Sequence, residues 1–219
     1  MTAPAVVQSG INGGSGSDFP VTLAAAPTDG NMLIGWLYDD AAGVHGSLNG
    51  WTFVRRTADN RGTLFSRIAS GLSAALPSMT TGNTGYNTQC VYEVSGADTV
   101  DSTGIANGAS VTSLSVGAVA TVNNTALALT FYTGWFAVFG ATPTLTAGGW
   151  TQDRSIANGT AQTTTSGHQS VATAGTNVSG TASWGATSQA HNAAGQIAVY
   201  LNAAPPTPAR GMLLQGVGS

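Results

Sequence analysis

Lysine is absent from this chain and glutamate occurs once, as Glu93; the six basic residues are all arginine, and eight of the nine acids are aspartate. Charged residues make up 7% of the 219 positions, against about 25% in ordinary soluble domains. That shortage excludes long surface helices, whose outer faces draw on Glu and Lys. It also excludes a nucleic-acid footprint, because phosphates need clustered cations and the formal net charge is −3. Cysteine is nearly missing too. A single Cys90 rules out an internal disulfide framework and a multi-cysteine zinc site. Its position inside an apolar run makes it a buried small hydrophobe. No apolar run approaches about 18 residues, so no membrane span is expected. Met1 to Gln8 carries neither a basic segment nor a long apolar stretch, which reads as cytoplasmic synthesis without a secretory leader.

Gly, Ala, Ser, Thr and Asn stand where the charges would be. Hydrophobic residues still reach 42%, and five Trp, five Tyr and six Phe are spread along the chain, which favours a packed globule over disorder. The apolar residues fall in short strand-like runs, such as Asn31 to Tyr38, Gln89 to Val94, Ala126 to Tyr132 and Gln196 to Leu201. Period-two alternation at Val111 to Val116 and Thr63 to Ile68 predicts one buried and one wet face. Asp29-Gly30, Asn49-Gly50, Gly148-Gly149 and Asn158-Gly159 supply the positive-φ positions of tight turns. The fold class expected is all-β, with about eight to twelve strands and no helix of consequence.

The chain also repeats itself faintly. Gly50-Trp51-Thr52 is followed by Arg55-Arg56-Thr57-Ala58-Asp59-Asn60, and Gly149-Trp150-Thr151 by Asp153-Arg154-Ser155-Ile156-Ala157-Asn158. Leu33 matches Leu127, and Gln89 matches Gln196. This predicts a jelly-roll β-sandwich over residues 1–203, built from two similar halves that cover each other's apolar faces. Residues 204–219 differ. Pro205, Pro206 and Pro208 force an extended run that cannot join a sheet, and Met212, Leu213 and Leu214 form an apolar end. The expectation is a C-terminal assembly arm.

Material for catalysis is thin. His45, His168 and His191 lie in Gly/Ala/Ser-rich stretches that read as loops, and no strand–nucleophile–helix elbow occurs. Asp39-Asp40, Asp98 with Asp101, and Asp153 are carboxylates without a pattern that selects a general acid and base. Asp39-Asp40 and Asp59-Asn60 read as solvated turns, without the spacing of a calcium loop. No catalytic residue, metal ligand or cofactor is assigned, and no enzyme activity is expected. Trp51 and Trp150 are the most distinctive side chains. They serve either as stacking platforms for sugar rings or as structural anchors at equivalent points of the halves, and their repetition favours anchoring. Trp36, Trp135 and Trp184 read as core.

The order of these segments carries a resemblance: Ala26-Pro27-Thr28-Asp29-Gly30-Asn31-Met32-Leu33-Ile34, Gly50-Trp51-Thr52, Tyr92-Glu93-Val94-Ser95-Gly96-Ala97-Asp98, Asn124 to Leu129, Gly149-Trp150-Thr151 and Gln196 to Leu201. Over residues 4–203 it resembles a broad group of concanavalin-like jelly-roll domains from bacteriophage virion proteins. The resemblance implies a non-enzymatic structural accessory role in a virion made in the host cytoplasm. Capsid decoration or a head fibre comes first, and a tail-tip or tail-fibre adhesin second. It implies capsid or tail structural proteins and further copies of the chain as partners, and no nucleic acid. A carbohydrate-binding module for a bacterial surface glycan is the competing class.

Overall fold

The computed structural model describes residues 3–15, 20–43, 45, 47–79, 86–121, 125–135, 142–158, 162–185 and 191–200. Thirteen strands and no helix occur among them. Ala5–Ser15 (β1), Met32–Asp39 (β2), Thr52–Arg56 (β3), Gly62–Ile68 (β4) and Tyr86–Ser95 (β5) form one antiparallel sheet in the order β1-β5-β2-β4-β3. The second half begins with Thr99–Gly108 (β6), Ser113–Ala120 (β7), Ala126–Trp135 (β8) and Thr144–Leu145 (β9). It continues with Thr151–Asn158 (β10), Gln162–Val171 (β11), Asn177–Ser183 (β12) and His191–Tyr200 (β13). Its main sheet runs β6-β13-β8-β11-β10, while β7-β12-β9 form a third, smaller sheet. One strand more than expected is present, and β9 is only two residues long.

The architecture is the all-β, jelly-roll-like sandwich of two similar halves that the short apolar runs and the internal repeat predict, and the likeness extends to register. In both main sheets the strands take the same order once β6, β8, β10, β11 and β13 stand for β1, β2, β3, β4 and β5. The irregularities coincide as well. The β1–β5 ladder slips between Val6 and Gln8, and the β6–β13 ladder at the step from Val100 to Ser102. The β3–β4 ladder slips between Phe53 and Arg55, and the β10–β11 ladder between Gln152 and Arg154. Trp51 and Trp150 stand directly before β3 and β10, each after a left-handed glycine, Gly50 at φ 82° and Gly149 at φ 86°.

Two sequence matches need correction. Leu33 faces away from the other sheet whereas Leu127 faces it, so the structural equivalent of Leu127 is Met32. Gln89 and Gln196 share the outward face but sit two positions apart in register, opposite Leu37 and Thr130. Side-chain direction alternates along a strand, so a match by residue type can slip by one or two places unnoticed.

The two main sheets face each other over one core. Met32, Ile34, Trp36, Leu64 and Tyr92 meet Leu127, Leu129, Phe131 and Ile197 there. Trp36 stacks on Phe131 at 6.0 Å and Tyr92 meets the same ring edge-on at 5.7 Å. Outside the first sheet, segments 20–25 and 69–79 pair through Thr22 and Ala75 and bury Val21, Leu23, Leu76 and Met79 against Leu33, Leu37 and Phe65. Outside the second sheet, β7 and β12 occupy the matching stretches of chain and bury Leu114, Val116 and Trp184. The molecule therefore has four layers. This overturns the wet face expected for Thr63 to Ile68: Thr63, Leu64 and Phe65 are all buried, because the covering segment lies on the outer side. In β7 the alternation holds, with Leu114 and Val116 inside and Ser113 and Ser115 outside.

Residues 201–219 lie outside the described residues, and with them the arm of Pro205, Pro206, Pro208, Met212, Leu213 and Leu214.

Candidate functional site

Arginine is spent on backbone. Arg154 of β10 donates from Nε to Ser9 Oγ at 2.9 Å and from Nη2 to the Ser9 carbonyl at 2.6 Å. Arg55 of β3 donates to the Thr103 carbonyl at 2.7 Å. Ser9 of β1 and Thr103 of β6 occupy equivalent places, so two matching clamps close the two open edges of the sandwich. Arg56 donates to the His45 carbonyl, Arg61 to that of Asp40 and Arg67 to that of Asn49. A guanidinium on a long stem spans the gap between sheets and offers several N–H groups in a fixed plane, which an ammonium does not.

Two Asp–His pairs come together that the sequence did not single out. Asp39 closes β2, and its Oδ2 lies 2.8 Å from His45 Nε2 with both residues buried. The loop folds back so that Ala41 N–H and Gly43 N–H donate to the same carboxylate. Ala42 takes φ 56° to permit it. Burial raises the Asp39 pKa, yet the His45 bond and the two amides outweigh it and hold the carboxyl below its ordinary range. In place of the solvated turn expected at Asp39-Asp40, Asp39 is buried and hydrogen-bonded to His45. At Asp59-Asn60 a turn is found, with Asp59 accepting from Thr57 Oγ1 and Arg61 N–H.

The second pair is on strands. Asp153 is the extra residue of the β10 bulge, which turns it inward, and His168 Nδ1 lies 2.7 Å from its Oδ2. Tyr92 OH is 3.0 Å from the same oxygen and 2.8 Å from Ser166 Oγ, which in turn lies 3.3 Å from Cys90 Sγ. The chain His168–Asp153–Tyr92–Ser166–Cys90 resembles catalytic parts, but its order is wrong for nucleophilic work. Among the described residues His168 meets the carboxylate and no hydroxyl, while Ser166 and Cys90 are fully buried. Burial pushes the Cys90 thiol up to about 12 and the Tyr92 phenol upward too. Cys90 is the buried small hydrophobe expected.

His168 and His191 belong to β11 and β13, not to loops. The Gly/Ala-rich start of β13 is a strand because a large ring from the other sheet needs the room, while Gly167 beside His168 packs against the Thr151 carbonyl and Leu145. A Cβ on Gly195 would stand 2.5 Å from the Trp36 ring.

Trp51 is 1% exposed, packs with Leu33, Phe65 and Met79, and donates its indole N–H to the Pro77 carbonyl at 2.8 Å. No face is left for a sugar ring, so the stacking role for Trp51 is corrected to an anchor. Trp150 is half-buried against the Ala126–Val178 cluster and donates to the Ser179 carbonyl at 3.0 Å. Each indole ties a main sheet to its outer cover. Trp36 and Trp184 are core as expected; Trp135 is not wholly so.

Trp135 lines a cavity of about 110 Å³ with Asp40, Arg61 and His191, at the end of the sandwich where β2 and β8 finish. The Trp135 indole and the His191 imidazole stack at 5.7 Å and 28° on one side. Asp40 and Arg61 form the other. Burial raises the Asp40 pKa, opposed by the Tyr86 amide. No single motif marks these four residues. Aligning the halves by their strand ends would have placed Trp135 opposite Asp40. Among the described residues no cluster of three metal-ligating side chains occurs, and no helix is long and apolar enough to cross a membrane.

No protein-family model, curated protein or solved structure matches this chain.

Proposed function

We infer that the chain is a non-enzymatic structural accessory protein of a bacteriophage virion, with capsid decoration or a head fibre as its role. The observation that carries this reading is the construction of the body: two matched halves cover each other, each is covered again on its outer face, and arginine clamps close both edges. Such a body suits a particle that must survive outside a cell. The Asp–His pairs and the lone thiol are consumed within it. The Pro-spaced tail, with its apolar Met212, Leu213 and Leu214, supports attachment to neighbouring subunits, whether capsid proteins or further copies of the chain. Glycan recognition is a second reading, favoured by the cavity of Asp40, Arg61, Trp135 and His191.

The test is location. Particles produced from a genome encoding this chain are purified on a density gradient and labelled with antibody to it. Labelling of heads in fixed copy number is the expected result. Labelling confined to tails replaces capsid decoration by the tail-fibre alternative, and absence from purified particles overturns the virion role.

A further inference from the structure

The halves cover their outer faces with matching stretches of chain but finish those covers differently. In the first half, segment 20–25 pairs with segment 69–79, and β1 takes up backbone groups that this pairing leaves over. Gln8 donates from Nε2 to the Ala25 carbonyl and accepts the Ala25 N–H at Oε1, both at 3.1 Å, and Asn12 Nδ2 donates to the Pro20 carbonyl at 3.0 Å. In β6 the positions of Gln8 and Asn12 are held by Ser102 and Ala106, since Gln8 and Ser102 each stand one place past the slip in their ladder. Ser102 Oγ is buried without a hydrogen bond and Ala106 has no polar side-chain atom. The amide cap of the first half therefore has no counterpart in the second.

The strand left open is β7, the counterpart of segment 20–25. Among the described residues it pairs with β12 alone. It contains no Lys, no Pro and no charge, the usual means of blunting an edge. Its one irregularity lies beyond Val116, so Ser113–Val116 is regular. An edge of this kind accepts an extended segment whose main chain continues the ladder. The chain itself holds such a segment. Residues 211–217, Gly-Met-Leu-Leu-Gln-Gly-Val, are uncharged and free of proline. Tyr200, the last residue of β13, packs on the cluster of Ala126, Ala128, Val171 and Val178, and Val178 lies opposite Val119 of β7. The chain thus leaves the body beside the end of β7. Pro205, Pro206 and Pro208 stiffen residues 202–210, which at about 3.1 Å per residue span roughly 28 Å. The 8 residues of β7 span roughly 26 Å. The spacer is as long as the strand, so it carries the apolar segment past its own edge and toward that of a neighbour.

We propose that the open edge of β7 is the docking site for residues 211–217 of a second copy of this chain, which add to it as a further strand. The site rests on the reading of residues 204–219 as an assembly arm and names the surface that receives the arm. Exchange of such arms between copies adds main-chain hydrogen bonds without altering either body.

The full-length protein is compared with a full-length variant carrying Met212→Asp, Leu213→Asp and Leu214→Asp, by light scattering and by hydrogen exchange read on peptides covering Ser113–Ala120. The wild type should be an oligomer and the variant a monomer. Exchange in β7 should be about tenfold or more faster in the variant. The substitutions fall outside the strands of the body, so unchanged exchange in β2, β5 and β8 shows that it stays folded. The proposal is overturned if β7 exchanges alike in the two proteins, or if the oligomer persists in the variant. A monomeric wild type whose β7 protection vanishes in the variant overturns it too, since the arm would then lie on its own edge. Absence of the chain from purified particles is a separate result: it removes the virion role and leaves the docking of the arm standing.

Discussion

Glu93 occupies a buried position of β5, and its carboxylate accepts from Gln8 Nε2 at 2.6 Å, Asn31 Nδ2 at 2.6 Å and Thr28 N–H at 2.9 Å. Burial raises its pKa, but the three donors outweigh burial and hold the carboxyl below its ordinary range. The sign of the linkage follows. The carboxylate stabilises the fold fully above the unfolded value, roughly pH 4.3, and that contribution fades as pH falls through the lower folded value. Asp39 acts with the same sign. Glu93→Gln turns an N–H₂ toward donors and should cost about 2 to 4 kcal/mol near neutral pH. Urea titrations from pH 7 down to about pH 3 should show the gap between variant and wild type narrowing in acid. A gap that stays constant would assign the cost to packing instead. Asp40 carries the opposite sign, since burial favours its protonated form. At this scale the sequence was only partly legible. That Cys90 would be buried followed from its apolar run, whereas nothing local announced that the one glutamate would be a staple, because its three donors come from β1 and the segment before β2.

Among elements, the paired edge strands show most clearly what duplication provides. Sheet edges invite pairing with other chains unless they are covered or distorted. Here β3 and β10 each carry a bulge, and just past it an arginine that reaches the opposite sheet. Arg154→Ala should cost about 2 kcal/mol and the more exposed Arg55→Ala about 1 kcal/mol. The two clamps share no partner, so the double variant should lose the sum to within about 0.5 kcal/mol. Chemical denaturation of the four proteins checks this, and a strong departure from additivity would mean that the edges open together. The strands themselves were legible where β-branched and aromatic residues cluster, as in β2, β5 and β8. They were illegible in β11 and in the first half of β13, where Thr, Ser, Ala and Gly predominate. Those strands exist because the ladders on either side pair with them and, in β13, because Trp36 requires a small residue at Gly195 beneath its ring.

For the whole molecule, the consequence of so few cations is resistance to cleavage. Five of the six arginines lie among the described residues, and each is bound to a backbone carbonyl. Arg210 is the sixth, in the Pro-spaced tail. Trypsin acting on the native protein should therefore cut after Arg210 alone, leaving a product that mass spectrometry identifies as residues 1–210. Light scattering of that product then bears on the arm. If the intact chain is an oligomer and the product a monomer, residues 211–219 hold the assembly together; unchanged mass would remove them from self-association. Early cleavage at Arg55 or Arg154 would contradict the clamped edges.

Composition by itself determined the class of this protein. With almost no Lys or Glu there is nothing to clothe helices, and short apolar runs punctuated by Asp-Gly and Asn-Gly leave strands and tight turns. The paired Gly-Trp-Thr segments likewise determined that the halves would be alike. Tertiary structure decided the rest, since it depends on contacts between residues far apart in the chain. It decided which face of each strand is wet, because four layers cannot be read from one strand's alternation. It decided that Trp51 is closed and Trp135 open. Finally, it brought Asp40 and Arg61 of one half against Trp135 and His191 of the other, since only the packing of the halves makes the ends of β2 and β8 neighbours.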